Sequence, residues 1–255
     1  SARKGPFIIK HDIYIKKLPD AFENFSIVQI SDLHVGPTIK RPYVEDVLEK
    51  ISHLNPDLIA VTGDLVDGSV KYLKSDLQPL KDMIAPYGTF FVTGNHEYYS
   101  GVDQWLDETD RLGMKNLINS YELISRAGDQ IVIAGVTDFR AHQIKASHRS
   151  NPGLALKSVP GNLKKIVLAH QPSSIFDVHK TGADLQLSGH THGGQFWPFT
   201  YPVKMTHPYI AGLHDHHGTQ IYVNRGTGYW GPPLRIGVPA EITFFHLKKK
   251  TEQSL

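Results

Sequence analysis

The sequence predicts a layered α/β fold, and three observations carry that prediction. Short apolar runs rich in β-branched residues alternate with stretches of helical periodicity over the first two thirds of the chain. Most of these runs end in a polar cluster, as strands of an α/β sheet do at a binding edge. Of the 255 residues 40% are hydrophobic, which is enough for a sizeable core and excludes disordered and low-complexity chains.

The apolar runs predict strands, and the stretches of helical periodicity predict helices. Between the strands, apolar residues at helical spacing predict helices over 41–54, 75–84 and 102–112. Beyond Gly193 the sequence becomes rich in Pro, Gly and aromatic residues, and two later runs, 220–223 and 241–245, predict further strands of a second sheet. No linker or repeat interrupts the chain, so we expect one domain over residues 1–255. The earlier strands, most of them buried and parallel, are predicted over 26–30, 58–62, 89–93, 130–134, 165–169 and 183–187.

Charge and cysteine content exclude several classes of function. Lys and Arg number 27 against 25 Asp and Glu, so the net charge of +2 gives no specific signal for nucleic acid. The chain has no Cys, which excludes disulfides, thiolate metal sites and a cysteine nucleophile. Any phosphate chemistry must therefore come from a local site, and the 15 His are the unusual feature of the composition.

Polar clusters with metal-binding or proton-transferring side chains follow the predicted strands. Carboxyl ends of strands in open α/β sheets meet at one edge, so we expect the clusters to converge. On an extended backbone, the two-residue spacing of Asp32 and His34, and of His190 and His192, directs both side chains of a pair to the same side. The clusters are Asp32-Leu33-His34, Gly63-Asp64, Gly94-Asn95-His96-Glu97, Ala169-His170 and Gly189-His190-Thr191-His192.

Each cluster also has a simpler structural interpretation. A single His near a strand end is usually a hydrogen-bonded structural residue, and Asp32 or Asp64 suits the N-cap of a helix. Capping does not explain the histidines, however. The glycine-rich turns match neither the dinucleotide-binding nor the Walker pattern, which argues against those kinds of nucleotide site.

In this order the clusters resemble the D-x-H, GD, GNH[DE], H and GH-x-H pattern of the calcineurin-like metallophosphoesterase superfamily. The motifs run from Ile27 to His192, and the general layout extends the resemblance to about Phe245. The resemblance implies a four-layer α/β/β/α sandwich of two mixed sheets flanked by helices. The segments 189–195, 224–228 and 239–242 are similar to a bacterial branch with N-terminal membrane or export segments.

The resemblance also implies two divalent metal ions. Manganese is the first candidate, and iron, zinc and magnesium are the alternatives. Carboxylate, amide and imidazole ligands suit these ions. A hydroxide bridging the two ions would then attack phosphorus. The implied ligands are Asp32, His34, Asp64 and His192 for the first ion, and Asp64 again with Asn95, His170 and His190 for the second.

Two further residues have a catalytic role by the same resemblance. His96, beside Asn95, would protonate or stabilise the leaving group, for which an imidazole is suited near neutral pH. Asp67 matches the carboxylate that pairs with this histidine in phosphoprotein phosphatases. Those enzymes have an arginine next, whereas this chain has Gly68, which argues against phosphoprotein substrates. Glu97 is expected to support a ligand rather than bind an ion.

The sequence therefore predicts a dinuclear-metal-dependent phosphohydrolase, a phosphodiesterase or pyrophosphohydrolase whose substrate extends to lipid-linked compounds. A phosphomonoesterase and a non-catalytic scaffold of the same fold are the alternatives. Phe196-Trp197 and Tyr229-Trp230 are candidates for a substrate rim or for covering a sheet edge. Further phosphate contacts are expected among Arg140, Arg225 and Arg235, and the histidines at 214–217 are expected in an exposed loop rather than at another metal site.

The first residues bear on localisation. The chain begins at Ser1 without Met and without a signal-peptide core. We expect that a membrane or export segment preceded it, which makes the domain membrane-associated or exported. Without such a segment a cytoplasmic location is expected.

Overall fold

A computed structural model describes residues 5–198 and 200–251 and contains two six-stranded sheets packed face to face. In spatial order, the first sheet consists of β1 (Phe7–Lys16), β12 (Glu241–Lys250), β2 (Ser26–Ile30), β3 (Leu58–Val61), β4 (Thr89–Phe91) and β5 (Lys115–Asn116). The second consists of β10 (Gly212–His216), β11 (Thr219–Val223), β9 (Leu185–Ser188), β8 (Lys164–Leu168), β7 (Asp129–Gly135) and β6 (Ser120–Arg126).

Helices cover the outer faces of both sheets. Val44, Leu77 and Trp105 pack on the first sheet, and Val178 packs on the second. This arrangement confirms the four-layer α/β/β/α sandwich. Among the described residues, no helix has both the length and the apolar character that crossing a bilayer requires. The α-helices are α1 (Arg41–Leu54), α2 (Val70–Leu77), α3 (Asn95–Tyr99), α4 (Val102–Arg111), α5 (Pro152–Ala155), α6 (Ile175–Val178) and α7 (Thr200–Thr206).

The alternation of side chains along the buried strands builds the layers. In β7, Ile131 and Ile133 face the core between the sheets, whereas Val132 and Ala134 face the outer layer. Successive side chains of a strand point to opposite faces, and both faces of β7 are buried, so both are apolar. The two sheets share this central core, and the extent of the domain over 1–255 stays a prediction.

The run 241–245 is a strand, but the prediction that it belongs to the second sheet is wrong. It forms the start of β12, which pairs antiparallel with β2 and parallel with β1 in the first sheet. β1 was not predicted; in this edge strand only Ile13 and Ile15 are buried. Such pairings join residues more than 200 positions apart, so local pattern does not determine them.

Two other expectations also need correction. The helix expected over 75–84 begins at Val70, and its α-helical part ends at Leu77. Pro79 has no N–H for the α-helical pattern, and a 3₁₀ segment, Gln78–Asp82, follows. The exposed loop expected at 214–217 is the edge strand β10 with its turn, hydrogen-bonded to β11.

The chain after β11 ties the two sheets together at their carboxyl edge. The N–H of Thr227 donates to the carbonyl of Ser31 at 2.7 Å, and the N–H of Gly228 donates to that of Asp32 at 3.0 Å. The approach is so close that a Cβ on Gly228 would overlap the carbonyl oxygen of Leu33. Glycine at this position therefore lets one sheet fix the segment 31–34 of the other.

We expect Gly228→Ala to lower the free energy of unfolding by about 3 kcal/mol, because the overlap involves backbone that cannot rotate away. Urea unfolding followed by circular dichroism measures this. Gly161→Ala is the matched control, since a Cβ there meets nothing within 4 Å. Equal stability of the two variants would contradict the close approach.

Candidate metal centre

The candidate site lies where the carboxyl ends of the parallel strands of both sheets meet. Asp32 and His34 follow β2, Asp64 follows β3, and Asn95 begins α3 after β4. From the second sheet, His170 follows β8, and His190 and His192 follow β9. Nε2 of His170 lies 3.1 Å from Oδ2 of Asp64, and Nε2 of His34 lies 3.0 Å from Nε2 of His192, so the clusters converge across the sandwich.

The candidate ligand atoms form three groups, which overlap at His34 and at Asp64. One group, in which every ligand atom lies within 4.8 Å of the others, contains Asp32, His34 and His192, and another contains Asp64, His170 and His190. A third group joins Asp64 and His34 to His96. Asp64 therefore belongs to two of the three groups, and the individual ligand roles stay predictions.

Several observations fit divalent cations at these groups. Oδ1 of Asn95 is buried and has no hydrogen-bond partner among the described residues. Nε2 of His170 faces Nδ1 of His190 at 3.1 Å, a contact between ring nitrogens that a shared cation would stabilise. Burial, with the nearby charge of His170 or His34, lowers the pKa of His190 and His192 well below the usual value. Neutral imidazole is the form that binds metals.

The backbone of the ligand segments differs from the extended conformation that we expected. Asp32, His34, Asp64, His190 and His192 all have φ between 50° and 71°, in the left-handed region. The ligand atoms of Asp32 and His34 nevertheless lie in the same group. The other pair separates, because His190 joins the group of His170 whereas His192 joins that of Asp32.

Glu97 holds the segment that carries Asp64. Its carboxylate accepts hydrogen bonds from the backbone N–H groups of Asp64 at 3.0 Å, Leu65 at 2.8 Å and Gly94 at 2.7 Å. Burial, followed by the charge of Asp64, raises the pKa of Glu97 to about 7. These contacts are those of a supporting residue.

Asp67 orients two histidines rather than one. Its Oδ1 lies 2.8 Å from Nδ1 of His34 and 2.6 Å from Nδ1 of His96. Burial alone would raise the pKa of Asp67, but the hydrogen bonds with these histidines lower it to about 2. For His96, burial acts to lower the pKa, and the hydrogen bond with Asp67 and the charge of Asp64 outweigh it and raise the pKa above its usual value. The sequence did not predict the contact of Asp67 with His34.

Two of the three candidate arginines make internal contacts. Arg235 is buried, and its Nη2 lies 3.1 Å from Nδ1 of His192 while also donating to the carbonyl of Gly228 at 2.6 Å. Burial lowers the pKa of Arg235 to about 10. Nη1 of Arg225 donates to Glu241 at 2.7 Å, whereas Arg140 is exposed.

The aromatic segments divide between core and surface. Tyr229 is buried in the core of the first sheet, so it is not part of a rim. Trp197 and Trp230 are exposed, and Phe196 is half-buried. At His96 and Asp67, a cavity of about 410 Å³ adjoins the centre and is lined by Asp67, Gly68, Ser69, His96, Tyr99 and Ser100.

One residue beside the centre was not predicted. The His207 ring lies 5.0 Å from that of His190, centroid to centroid, directly after α7. Its only sequence signal is its position in the aromatic segment after Gly193. By contrast, none of the groups of three close ligand atoms found among the described residues contains His214, His216 or His217, and the expectation against a metal site there stays a prediction.

Comparisons with known proteins assign the family. The family model of calcineurin-like phosphoesterases matches residues 25–194. The chain is 38% identical over 249 residues to an "uncharacterized metallophosphoesterase" of Helicobacter pylori, covering 97% of the chain and 65% of that protein. It is 34% identical over 259 residues to a "transmembrane protein with metallophosphoesterase domain" of Danio rerio, covering 98% of the chain and 59% of that protein. The chain thus spans about two thirds or less of these relatives.

Solved structures give the same result for the fold. The phosphopantetheinyl hydrolase of Mycobacterium tuberculosis has a TM-score of 0.52 at 13% identity, with 82% of this chain and 91% of that one covered. At this identity the similarity concerns the fold alone. Together with the matched family model and the relatives above, it places this chain in the calcineurin-like phosphoesterase family, with the domain of a metal-dependent phosphoesterase.

Proposed function

We propose that the protein hydrolyses a phosphodiester or pyrophosphate bond with two divalent metal ions. The observation that carries this proposal is the presence of two neighbouring groups of carboxylates and imidazoles, Asp32 with His34 and His192, and Asp64 with His170 and His190. Oδ2 of Asp64 lies 3.9 Å from Nε2 of His34, which joins the groups, and Oδ1 of Asn95 is buried without a partner among the described residues. Manganese is the first candidate, with iron, zinc and magnesium as alternatives, because the donors are oxygen and nitrogen atoms only. When bound, such a pair of ions lowers the pKa of a shared water and polarises the phosphoryl oxygens.

The residues of the chain have distinct tasks in this proposal. Asp32, His34 and His192 would hold one ion, Asn95, His170 and His190 would hold the other, and Asp64 would contribute to both sites. Asp67 fixes the ring of His34 through Nδ1, which leaves Nε2 directed at the site. Glu97 keeps the backbone at Asp64 in place through its three N–H contacts.

His96 is the residue proposed to act on the leaving group. Its Nδ1 faces Asp67, so Nε2 is directed at the centre, 4.0 Å from Oδ2 of Asp64. The ring also lines the cavity with Tyr99, which gives a leaving group space beside the imidazole. A proton on Nε2 is then in position to be donated to the departing oxygen.

The cationic groups near the centre favour a diester or pyrophosphate over a monoester. A monoester dianion needs positive charge beyond the two ions, yet Gly68 replaces the arginine of phosphoprotein phosphatases. Of the three candidate arginines, Arg225 and Arg235 are engaged internally, which leaves Arg140 as the exposed one. A diester or pyrophosphate carries a second substituent, which the exposed Trp197 and Trp230 are proposed to hold. We extend the proposal to a lipid-linked substituent, which the transmembrane relatives support. Phosphomonoester hydrolysis is the alternative that the assays below distinguish.

The purified protein is expected to bind close to two divalent ions, measured by elemental analysis. Asp64→Ala should abolish hydrolysis more completely than His34→Ala, because Asp64 contributes to both sites. Asp107→Ala, an exposed carboxylate on α4, is the matched control and should leave metal content and rate unchanged. Protein without metal that added Mn²⁺ does not activate would contradict the proposal.

His96→Ala should keep the metals but slow turnover by about 100-fold or more on substrates with poor leaving groups. Activated aryl esters should lose less, because their leaving group needs little protonation. Asp67→Asn should slow both kinds of substrate and also lower the metal content, because Asp67 orients the proposed ligand His34 as well as His96. Losses of equal size for good and poor leaving groups would argue against the role of His96.

Hydrolysis of an aryl phosphate and a bis-aryl phosphate with the same metal tests the substrate class, and the bis-aryl substrate should be preferred. Trp197→Ala and Trp230→Ala should raise KM for it, since they remove contacts with the second substituent. Tyr72→Ala, at an equally exposed aromatic on α2, is the control. A strong preference for the monoester would assign the alternative function.

A further inference from the structure

Large apolar side chains are exposed on two neighbouring segments beside the metal centre. Exposed fractions reach 70% for Trp197 and 88% for Met205. Several large apolar side chains exposed on neighbouring segments are a feature of interaction sites. We name the following set the aromatic edge: Trp197, Tyr201, Met205, Trp230, Leu234 and Ile236.

Hydrogen bonds hold the two segments of the aromatic edge against each other. The side chain of Gln195 donates to the carbonyl of Trp230 at 2.8 Å and accepts from its N–H at 2.9 Å. The N–H of Ile236 donates to the carbonyl of Gln195 at 3.3 Å, and Phe196 forms a parallel bridge with Ile236. The apolar side chains are thus presented by paired backbone rather than by independent loops.

The aromatic edge is continuous with the metal centre. Gln195 follows the 3₁₀ turn of His192 directly, and Arg235, between two residues of the edge, contacts the ring of His192. On the other segment, α7 carries Tyr201 and Met205 and leads into His207, whose ring contacts His190. A surface that binds the aromatic edge therefore lies next to the reacting groups.

The charge of this part of the chain complements an anionic surface. From Leu185 to Ala240, Asp215 is the only acidic residue. Arg225 is paired with Glu241 and Arg235 is buried, so Lys204 is the cation that this part of the chain offers to an anionic surface. Lys204 is exposed on α7 between Tyr201 and Met205. Trp and Tyr beside aliphatic residues, with a lysine and no carboxylate among them, is the composition that binds the interfacial region of a bilayer.

We propose that the aromatic edge inserts into the interfacial region of a bilayer that contains anionic lipids, so that the metal centre lies beside the headgroup layer. Apolar side chains supply the burial, and Lys204 supplies the attraction to anionic headgroups. Binding by this surface does not depend on catalysis.

Vesicle sedimentation tests the proposal, with phosphatidylcholine vesicles that contain either no or about 30% phosphatidylglycerol. The protein should bind the anionic vesicles more strongly, and Met205→Ser and Ile236→Ser should each weaken that binding by about tenfold. Ile84→Ser is the matched control, since Ile84 is 79% exposed but lies outside the aromatic edge, and it should bind like the wild type. Lys204→Glu should remove the preference for anionic vesicles.

Tryptophan fluorescence of the unmodified protein gives a second measurement. Trp105 is buried, so a blue shift and quenching by brominated lipids report on Trp197 and Trp230. No quenching, or equal binding by Met205→Ser and Ile84→Ser, would overturn the proposal. Sedimentation velocity showing a dimer that Met205→Ser disrupts, with no vesicle binding, would also overturn it and assign the surface to a second copy of the chain.

Asp64→Ala separates this proposal from the proposed function. The variant should bind vesicles like the wild type although it is inactive. If the protein hydrolyses diesters but does not bind vesicles, only the proposal that the aromatic edge binds a bilayer is refuted. If the protein binds vesicles but hydrolyses no substrate, only the proposed hydrolytic function is refuted.

Discussion

Burial of the carboxylates of Asp32 and Asp64 is the constraint on which the rest of the structure depends. An ionised carboxylate in a protein interior is strongly unfavourable unless hydrogen bonds or opposite charges compensate it. The N–H of His190 donates to Asp32 at 2.9 Å, and that of His96 donates to Asp64 at 2.8 Å. His190 belongs to the other sheet, so the two sheets must end at one edge to stabilise the site.

At that edge, residues of the site have a left-handed backbone conformation, which regular strands and helices do not contain. The five ligand residues in the left-handed region each cost about 1–2 kcal/mol relative to ordinary backbone. Tertiary contacts offset this cost, among them the three N–H groups bound by Glu97 and the bonds of Thr227 and Gly228 to the segment after β2. Contacts within the fold therefore position the segments that carry the candidate ligands.

The region after β9 links the chemistry of the centre to the surface. His192 contributes to the ligand cluster on one side, and the segment that follows it carries Trp197 outward on the other. Arg235 joins these roles, because its guanidinium contacts the ring of His192 and five carbonyl oxygens nearby, while its neighbours Leu234 and Ile236 are exposed. A phosphate substrate with a large substituent and a bilayer beside the centre would meet the same part of the molecule.

The sequence by itself determined the layered α/β class, the helices 41–54 and 102–112 and the clusters around Asp32, Asp64, Asn95, His170 and His190. These signals are local, because a buried strand and the polar turn after it are contiguous in the chain. Only the tertiary structure decided that 241–245 pairs with β2, that Tyr229 is core, that Asp67 contacts two histidines and that His207 lies beside His190. Those outcomes depend on contacts between residues distant in sequence, whose free energies no local pattern records.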